Sequence, residues 1–431
     1  MNAFLSRLLA AVVALACTVP AVAQDFDRWF TNRTLRADYI FAGTDSCQEL
    51  SLAELVSSPG WWGRRHCLDS LYLQGNGQIT MQDEQTGDTI YRTSFSSLFQ
   101  EWQSTEEATR LRRSFENVFL LPFPRHPALV TVELRDKRQA VSARFVHRVD
   151  PADILIRRTD GRPAPAHRYL QRGGTPEDCI DIAIVAEGYT AAEADTFYAD
   201  ARAATEALFS HEPFKSLRDR FNVVAVATRS AESGVSLPKQ GRWRQTAFGS
   251  HFDTFYSDRY LTTLRLRALH DSLAGVPYEH IVVLANTPHY GGGGIYNSYV
   301  LASTRHAQFL PVVVHEFGHS FAALADEYAY DDEYSFMYPD GVEPWEHNIT
   351  TLTDFGRKWQ DLVPPGTPVP TPPVEHGAGR YGQVGLYEGA GYRSKGVYRP
   401  CTDCRMRTNT APEFCPVCRR SIERLIHYYT R

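Results

Sequence analysis

The chain has 431 residues, 43% of them hydrophobic and 22% charged, enough for two or three well-buried domains. A formal net charge of −5 is mild and argues against nucleic acid or an anionic membrane surface as a partner. Beyond the first two dozen residues no run approaches 18 continuous apolar residues, so no membrane span is expected.

Met1 to Ala23 reads as a secretory signal: Arg7 supplies the positive start, Leu8 to Val19 the apolar segment and Ala21-Val22-Ala23 the small-residue cleavage pattern, with Gln24 as first mature residue. The expected destination is export, periplasmic or secreted. A lipoprotein processed at Cys17 is the lesser alternative, because the residues before it fit that pattern poorly. Residues 24–150 carry short alternating runs such as Leu71-Tyr72-Leu73, Ile79-Thr80-Met81 and Val141 to Val149, broken by turn signals at Gly75-Asn76-Gly77 and Thr86-Gly87-Asp88. This predicts a small all-β, sandwich-like domain without a catalytic constellation. Pro163, Pro165, Gly173 and Gly174 mark residues 151–176 as a linker to a second domain over 177–431.

In that second domain Cys179 to Ala186 reads as a buried strand and Ala191 to Phe209 as a helix. Phe221 to Ala227 follows as a strand, Asp258 to Leu273 as a helix and His280 to Ala285 as another buried strand. Alternating strands and helices imply a mostly parallel sheet, so the fold class is mixed α/β (α+β) behind an all-β domain. Gly291 to Gly294 lacks the Lys-Ser/Thr of a phosphate loop and reads as a flexible loop beside an edge strand over Ile295 to Ser303.

The apolar run from Phe309 then leads into His315-Glu316-Phe317-Gly318-His319, an HExxH signature. A helix advances about 100° per residue, so His315 and His319 lie on one face, a turn apart, where both imidazoles reach the same ion. Glu316 projects beside them as the general base for a metal-activated water. The alternative is an accidental pattern on a solvated helix, but Leu310, Val312, Val313 and Val314 make this helix a buried one. Buried His and Glu without a partner would cost several kcal/mol, and a metal ion is the partner that satisfies all three. For a third ligand the next carboxylates are Asp326 and Glu327. An unbroken helix would carry Asp326 about 10 Å beyond His319, so the chain must turn back just after Phe321.

This stretch resembles the igalysins, the IgA-peptidase family of zinc metallopeptidases assigned to the metzincin clan. Glu343-Pro344-Trp345, Asn348-Ile349-Thr350-Thr351, Glu388 to Tyr392, Lys395 to Pro400 and Asp403 to Arg407 also look like that family, as do Ala186 to Tyr189 and Gly249 to Thr254 upstream. The resemblance implies a metzincin-like peptidase domain, a separate amino-terminal domain, and one catalytic zinc on His315, His319 and Asp326. It further implies a methionine turn beneath the metal, with Met406 favoured over Met337, and substrate contacts from the strand before the helix, with Tyr296, Asn297 and Tyr299 as candidates. Tyr398 is a candidate for oxyanion or substrate contact. Where the family's turn glycine is expected, this chain has Ala323.

Export bears on the cysteines. Cys47 and Cys67 are expected to pair in the first domain. Cys401, Cys404, Cys415 and Cys418 spell CxxC, ten residues, CxxC, which in an oxidising compartment reads as two disulfides and, less favoured, as a structural zinc site. Cys179 is left over as a buried free thiol. Asp331-Asp332-Glu333 is a solvated acidic loop, with a Ca²⁺ site the weaker reading. Asn348-Ile349-Thr350 matches a glycosylation sequon, relevant only in a eukaryotic secretory route.

The expected activity is hydrolysis of protein or peptide substrates. Two competitors are a non-catalytic zinc-containing adhesion protein on the same scaffold and a zinc hydrolase of another class with Glu327 as third ligand. Substrate, oligomeric state and cleavage of immunoglobulin A are not legible in the sequence.

Overall fold

The computed structural model describes residues 26–330, 337–374 and 382–430. The expected signal segment, Cys17 and the Asp331-Asp332-Glu333 cluster lie outside the described residues. The first strands are β1 (Phe30–Gly43), β2 (Gln48–Pro59), β3 (Gly77–Asp83), β4 (Thr89–Phe95), β5 (Arg113–Pro124), β6 (Ala128–Arg135) and β7 (Val141–Val149). They form two four-stranded sheets, ordered β5-β1-β2-β8 and β4-β3-β6-β7, in which β8 is Arg157–Arg158. Alternate residues of β3 are buried in the pattern a half-solvated strand produces. A short helix, α1 (Leu98–Trp102), is capped by the Ser97 side chain, which accepts from the Gln100 N–H.

The segment expected to be a linker carries a strand at each end. β8 pairs parallel with β2, and β9 (His167–Arg172) pairs antiparallel with β11 (Phe221–Val226) in the second domain. With β10 (Ile180–Glu187), β12 (His280–Ala285), β13 (Gly292–Ile295) and β14 (Tyr299–Ser303) they make a six-stranded sheet ordered β13-β14-β12-β10-β11-β9. Its four central strands are parallel and both edge strands antiparallel. The near-continuous apolar runs of β10, β11 and β12 fit a sheet covered on both faces. Ile182, Ile184, Val282 and Leu284 join the core beneath the helices α2 (Ala194–Leu208) and α4 (Phe309–Ala322). Their alternates Ala183, Val185, Val283 and Ala285 join a core continuous with the sandwich.

Two expectations need correction here. The helix over Asp258 to Leu273 is confined to α3 (Leu266–Asp271), because Arg259 and Leu261 are spent as backbone partners of the sheet edge: Gly292 N–H donates to Arg259 O, and Leu261 N–H to Gly292 O, both at 3.3 Å. The glycine run is also no flexible loop. Gly292 to Gly294 lie in β13, which crosses the face of α4 so closely that a Cβ on Gly294 would sit 2.3 Å from Glu316 O. Only glycine permits that approach.

A small sheet, β15-β17-β16, built from β15 (Ala329–Tyr330), β16 (Tyr387–Ala390) and β17 (Tyr392–Arg399), follows α4, and α5 (Pro416–Tyr429) closes the described chain. Among the described residues no helix is long and apolar enough to cross a membrane.

Candidate metal centre

Pro311 occupies the first turn of α4, where its missing N–H breaks no helical bond, and the helix runs unbroken through His315 and His319. It stops at Ala323, whose left-handed conformation (φ 50°, ψ 37°) costs about 1–2 kcal/mol relative to right-handed backbone. The turn recovers part of this through hydrogen bonds from the Ala323 N–H to His319 O and from the Leu324 N–H to Gly318 O. It is also held from below, since Asn348 accepts from the Ala325 N–H and donates to Ala325 O. Asn348 is wholly buried, so the sequon is a structural device.

The turn returns Asp326 to the two histidines. His315 Nε2 and His319 Nε2 are 3.0 Å apart, and Asp326 Oδ1 lies 3.1 Å from the first and 3.2 Å from the second. Their other ring nitrogens face acceptors only: His315 Nδ1 donates to Arg405 O at 2.9 Å and His319 Nδ1 to Leu324 O at 2.5 Å. With those protons fixed, each neutral imidazole turns a lone pair inward. Two ring nitrogens and a carboxylate oxygen thus converge on one point, and Asp326 Oδ1 faces nothing else in the surrounding protein. Ligands of a tetrahedral zinc at about 2.0–2.1 Å would be about 3.3 Å apart, close to the spacing seen. The residues therefore fit a divalent cation.

Electrostatics points the same way. Burial alone would lower both imidazoles, yet the facing Asp326 raises His315 above its ordinary value and His319 to about 9. Burial would raise Asp326, but the two imidazoles hold it well below the carboxylate range. In the absence of an ion this pocket collects protons, and a cation takes their place. Glu316, raised mainly by burial, sits with Oε1 against β13, 2.8 Å from where a Cβ on Gly292 would be.

Met406 is fully buried directly beneath the helix: a Cβ on Gly318 would lie 2.6 Å from its Sδ, and its carbonyl accepts from the Glu327 N–H at 2.8 Å. Met337 instead lines a cleft of about 550 Å³ between the sandwich and the second domain, with Glu101, Tyr338, Trp345 and Glu346. Glu327 does not join the imidazoles. It points away, to Cys418 Sγ at 3.0 Å.

Several expected residues do other work. Tyr296 and Tyr299 are buried; Tyr296 meets Ser94 and Asn297 donates to Thr93 Oγ1 and Ser94 O, tying the sheet to the sandwich, while the Tyr299 hydroxyl is engaged with Thr263 of its own domain, so all three side chains are spent inside the fold. The reason is topological: β14 lies inside the sheet, between β12 and β13, and is not its edge. Tyr398 is taken up in a backbone pair with Thr350 and packs on the core. The described cysteines are all free. Cys47 lies in the turn before β2 and Cys67 beyond its far end; a 12-residue strand spans about 40 Å, far outside disulfide reach. Of the four carboxy-terminal cysteines, Cys404, Cys415 and Cys418 gather around one point instead of pairing off.

Two site residues were given no role by the sequence, although Tyr392 closes one of the family-like stretches. Tyr392 donates its hydroxyl to Asp326 Oδ2 in a short hydrogen bond, and packs with Tyr328 and Tyr330 into an aromatic wall. Glu101, on α1 of the sandwich, accepts from Tyr260 and is raised to about 7 by burial, within range of the charges on His319, Glu316 and Asp326.

A mixed α/β domain here gathers two imidazoles and a carboxylate around one cation-sized point, a donor set of the kind that metal-dependent proteins use. The family is also shown by sequence: residues 169–381 and 374–426 match the model of IgA Peptidase M64, and residues 25–146 that of the Peptidase M64 N-terminus. The chain belongs to this peptidase family. No curated protein matches it.

Proposed function

We propose that this protein is an exported, zinc-dependent endopeptidase of the HExxH type with a metzincin-like catalytic domain. The observation that carries the reading is the convergence of His315 Nε2, His319 Nε2 and Asp326 Oδ1 within 3.2 Å of one another, beside Glu316. Zinc held by these three atoms supplies Lewis acidity and lowers the pKa of water towards 7.

The chain's own residues do the rest. Arg405 and Leu324 carbonyls fix the imidazole tautomers, and Tyr392 holds the second oxygen of Asp326 so that the first faces inward. Glu316, lifted above the ordinary carboxylate value by burial, is matched to accept a proton from water and return it to the departing amine. A peptide carbonyl is attacked, the C–N bond breaks, and the proton taken from water leaves on the amine. A cleft of about 550 Å³ is lined by Glu101, whose carboxyl lies within range of the charges on His319, Glu316 and Asp326, and it has room for several side chains of a polypeptide. Protein is the substrate class; cleavage of immunoglobulin A does not follow from membership of the family.

Glu316→Ala tests the assignment. Casein or gelatin zymography should show no hydrolysis, while elemental analysis finds the metal still bound; activity that survives the change refutes the role. The pattern over Met1 to Ala23 supports export, and Gln24 as the first residue found by amino-terminal sequencing would bear it out.

A further inference from the structure

On the side of the catalytic turn opposite the imidazoles, Cys404, Cys415, Cys418 and Glu327 place one donor atom each within 4.8 Å of all the others, and all four are buried. Cys404 Sγ and Cys418 Sγ are 3.8 Å apart. Thiolates at about 2.3 Å from a tetrahedral zinc would be separated by about 3.8 Å. The sulfurs receive the backbone hydrogen bonds that suit thiolates. Cys404 Sγ accepts from the N–H of Cys415 at 3.2 Å and of Met406 at 3.5 Å, and Cys415 Sγ from the N–H of Cys418 at 3.5 Å. Cys415 is also the N-cap of α5, where the helix end favours negative charge. Glu327 enters from the other side. Its Oε1 accepts from Asn348 Nδ2 at 3.0 Å, while its Oε2 is buried without a hydrogen-bond partner. A carboxylate left so is costly unless a cation completes it.

We infer that Cys404, Cys415, Cys418 and Glu327 form a second metal site, closed to solvent and structural, that takes zinc. Soft sulfur donors select zinc over the hard cations, and four protein ligands leave no open position for substrate. The site joins the segment directly after Asp326 to the turn that carries Met406, so one ion would fix both the third catalytic ligand and the floor of the catalytic pocket. Cys401 falls outside the set: its thiol is directed at Gly382 O and reaches only the Cys415 thiol among the donors. The inference does not depend on the catalytic assignment, since it uses none of the same donors.

The test uses the full chain carrying His315→Ala and His319→Ala, which removes the nitrogen donors of the first centre. Elemental analysis should find about one zinc per chain, and replacement by Co²⁺ should give the intense near-ultraviolet charge-transfer band of a thiolate-bound ion, which a nitrogen and oxygen site cannot produce. Added to this background, Cys418→Ser and Glu327→Gln should each lose the ion and Cys401→Ser should keep it. If the variants do not fold, the unaltered protein is treated with iodoacetamide before and after a chelator and the labelled peptides are mapped. Cys404, Cys415 and Cys418 should label only after chelation. No metal in the double variant, labelling without chelator, or recovery of these cysteines as disulfides would overturn the site. Loss of the ion in Cys401→Ser with retention in Glu327→Gln would overturn the ligand set.

Discussion

Asp326 and Glu327 are neighbours in the chain, yet the first faces two imidazoles and the second three thiols. An extended backbone sends successive side chains to opposite faces, so one short segment serves two donor clusters back to back. The clusters differ in access. The side chains of His315 and His319 keep 11% and 17% of their exposure, whereas Glu327 and Cys418 keep none. They differ also in chemistry, hard oxygen and nitrogen against soft sulfur. The open cluster has a titratable acid beside it, Glu316; the closed one has only backbone amides and the Asn348 side chain. Reactivity needs an opening as well as donors, and the opening is what separates a pocket that can turn over substrate from one that can only hold the chain together.

That contrast can be broken at chosen points. The largest effect is expected for Glu316→Ala, with peptide hydrolysis falling about 10³-fold or more and metal content unchanged, measured by peptide turnover beside elemental analysis. Gly318→Ala pushes a methyl group onto Met406 Sδ in a space with no slack. The crowding should cost about 1–3 kcal/mol despite the better helix propensity of alanine, read as a lowered Tm, and should disturb both clusters because Met406 lies between them. Tyr392→Phe removes the hydroxyl that orients Asp326 and should weaken metal affinity of the open cluster about 10- to 100-fold in a chelator competition, leaving the thiol cluster untouched.

A control away from both clusters is Asp181, which burial raises from 3.8 to about 7; the buried Glu279 lies beside it and is also raised. A carboxyl with a folded pKa above its unfolded value binds more protons when folded. Its contribution is complete below about pH 4 and is lost as pH rises through about 7. Thermal unfolding should therefore move to lower temperature between pH 5 and 8, and Asp181→Asn should flatten that decline by on the order of 1–2 kcal/mol at pH 8. The smallest effect is expected at the turn itself. Ala323→Gly removes the left-handed strain and should stabilise by about 0.5–1 kcal/mol in chemical denaturation, with activity retained.

What could be read from the chain was whatever short range decides. His315, Glu316 and His319 are fixed by the pitch of a single helix; the same arithmetic demanded a reversal after Phe321, but it left Asp326 and Glu327 as rivals that only the family resemblance ranked. The two-sheet character of the first 150 residues was legible from alternation alone. Long-range pairing hid the rest. Tyr392 reaches Asp326 across 66 residues and Glu101 comes from another domain, so the family-like stretch that ends in Tyr392 said nothing of its contact with Asp326, and nothing near Glu101 pointed to the site. Tyr296, Asn297 and Tyr299 follow from which strand forms the sheet edge, a matter of topology. The cysteine spacing allowed both pairing and coordination, and only the arrival of Glu327 from a distant segment separates them.

The helix that carries the two histidines is gripped from both sides, by the bare backbone of Gly292 to Gly294 on one flank and by Met406 beneath Gly318 on the other. It has no room to roll or slide, so the imidazoles are aimed by steric confinement before any ion arrives. An incoming metal then meets a finished socket and little reorganisation accompanies its capture. Such a socket admits any cation of suitable size and softness, so the choice among competing metals falls to supply in the compartment where the chain folds.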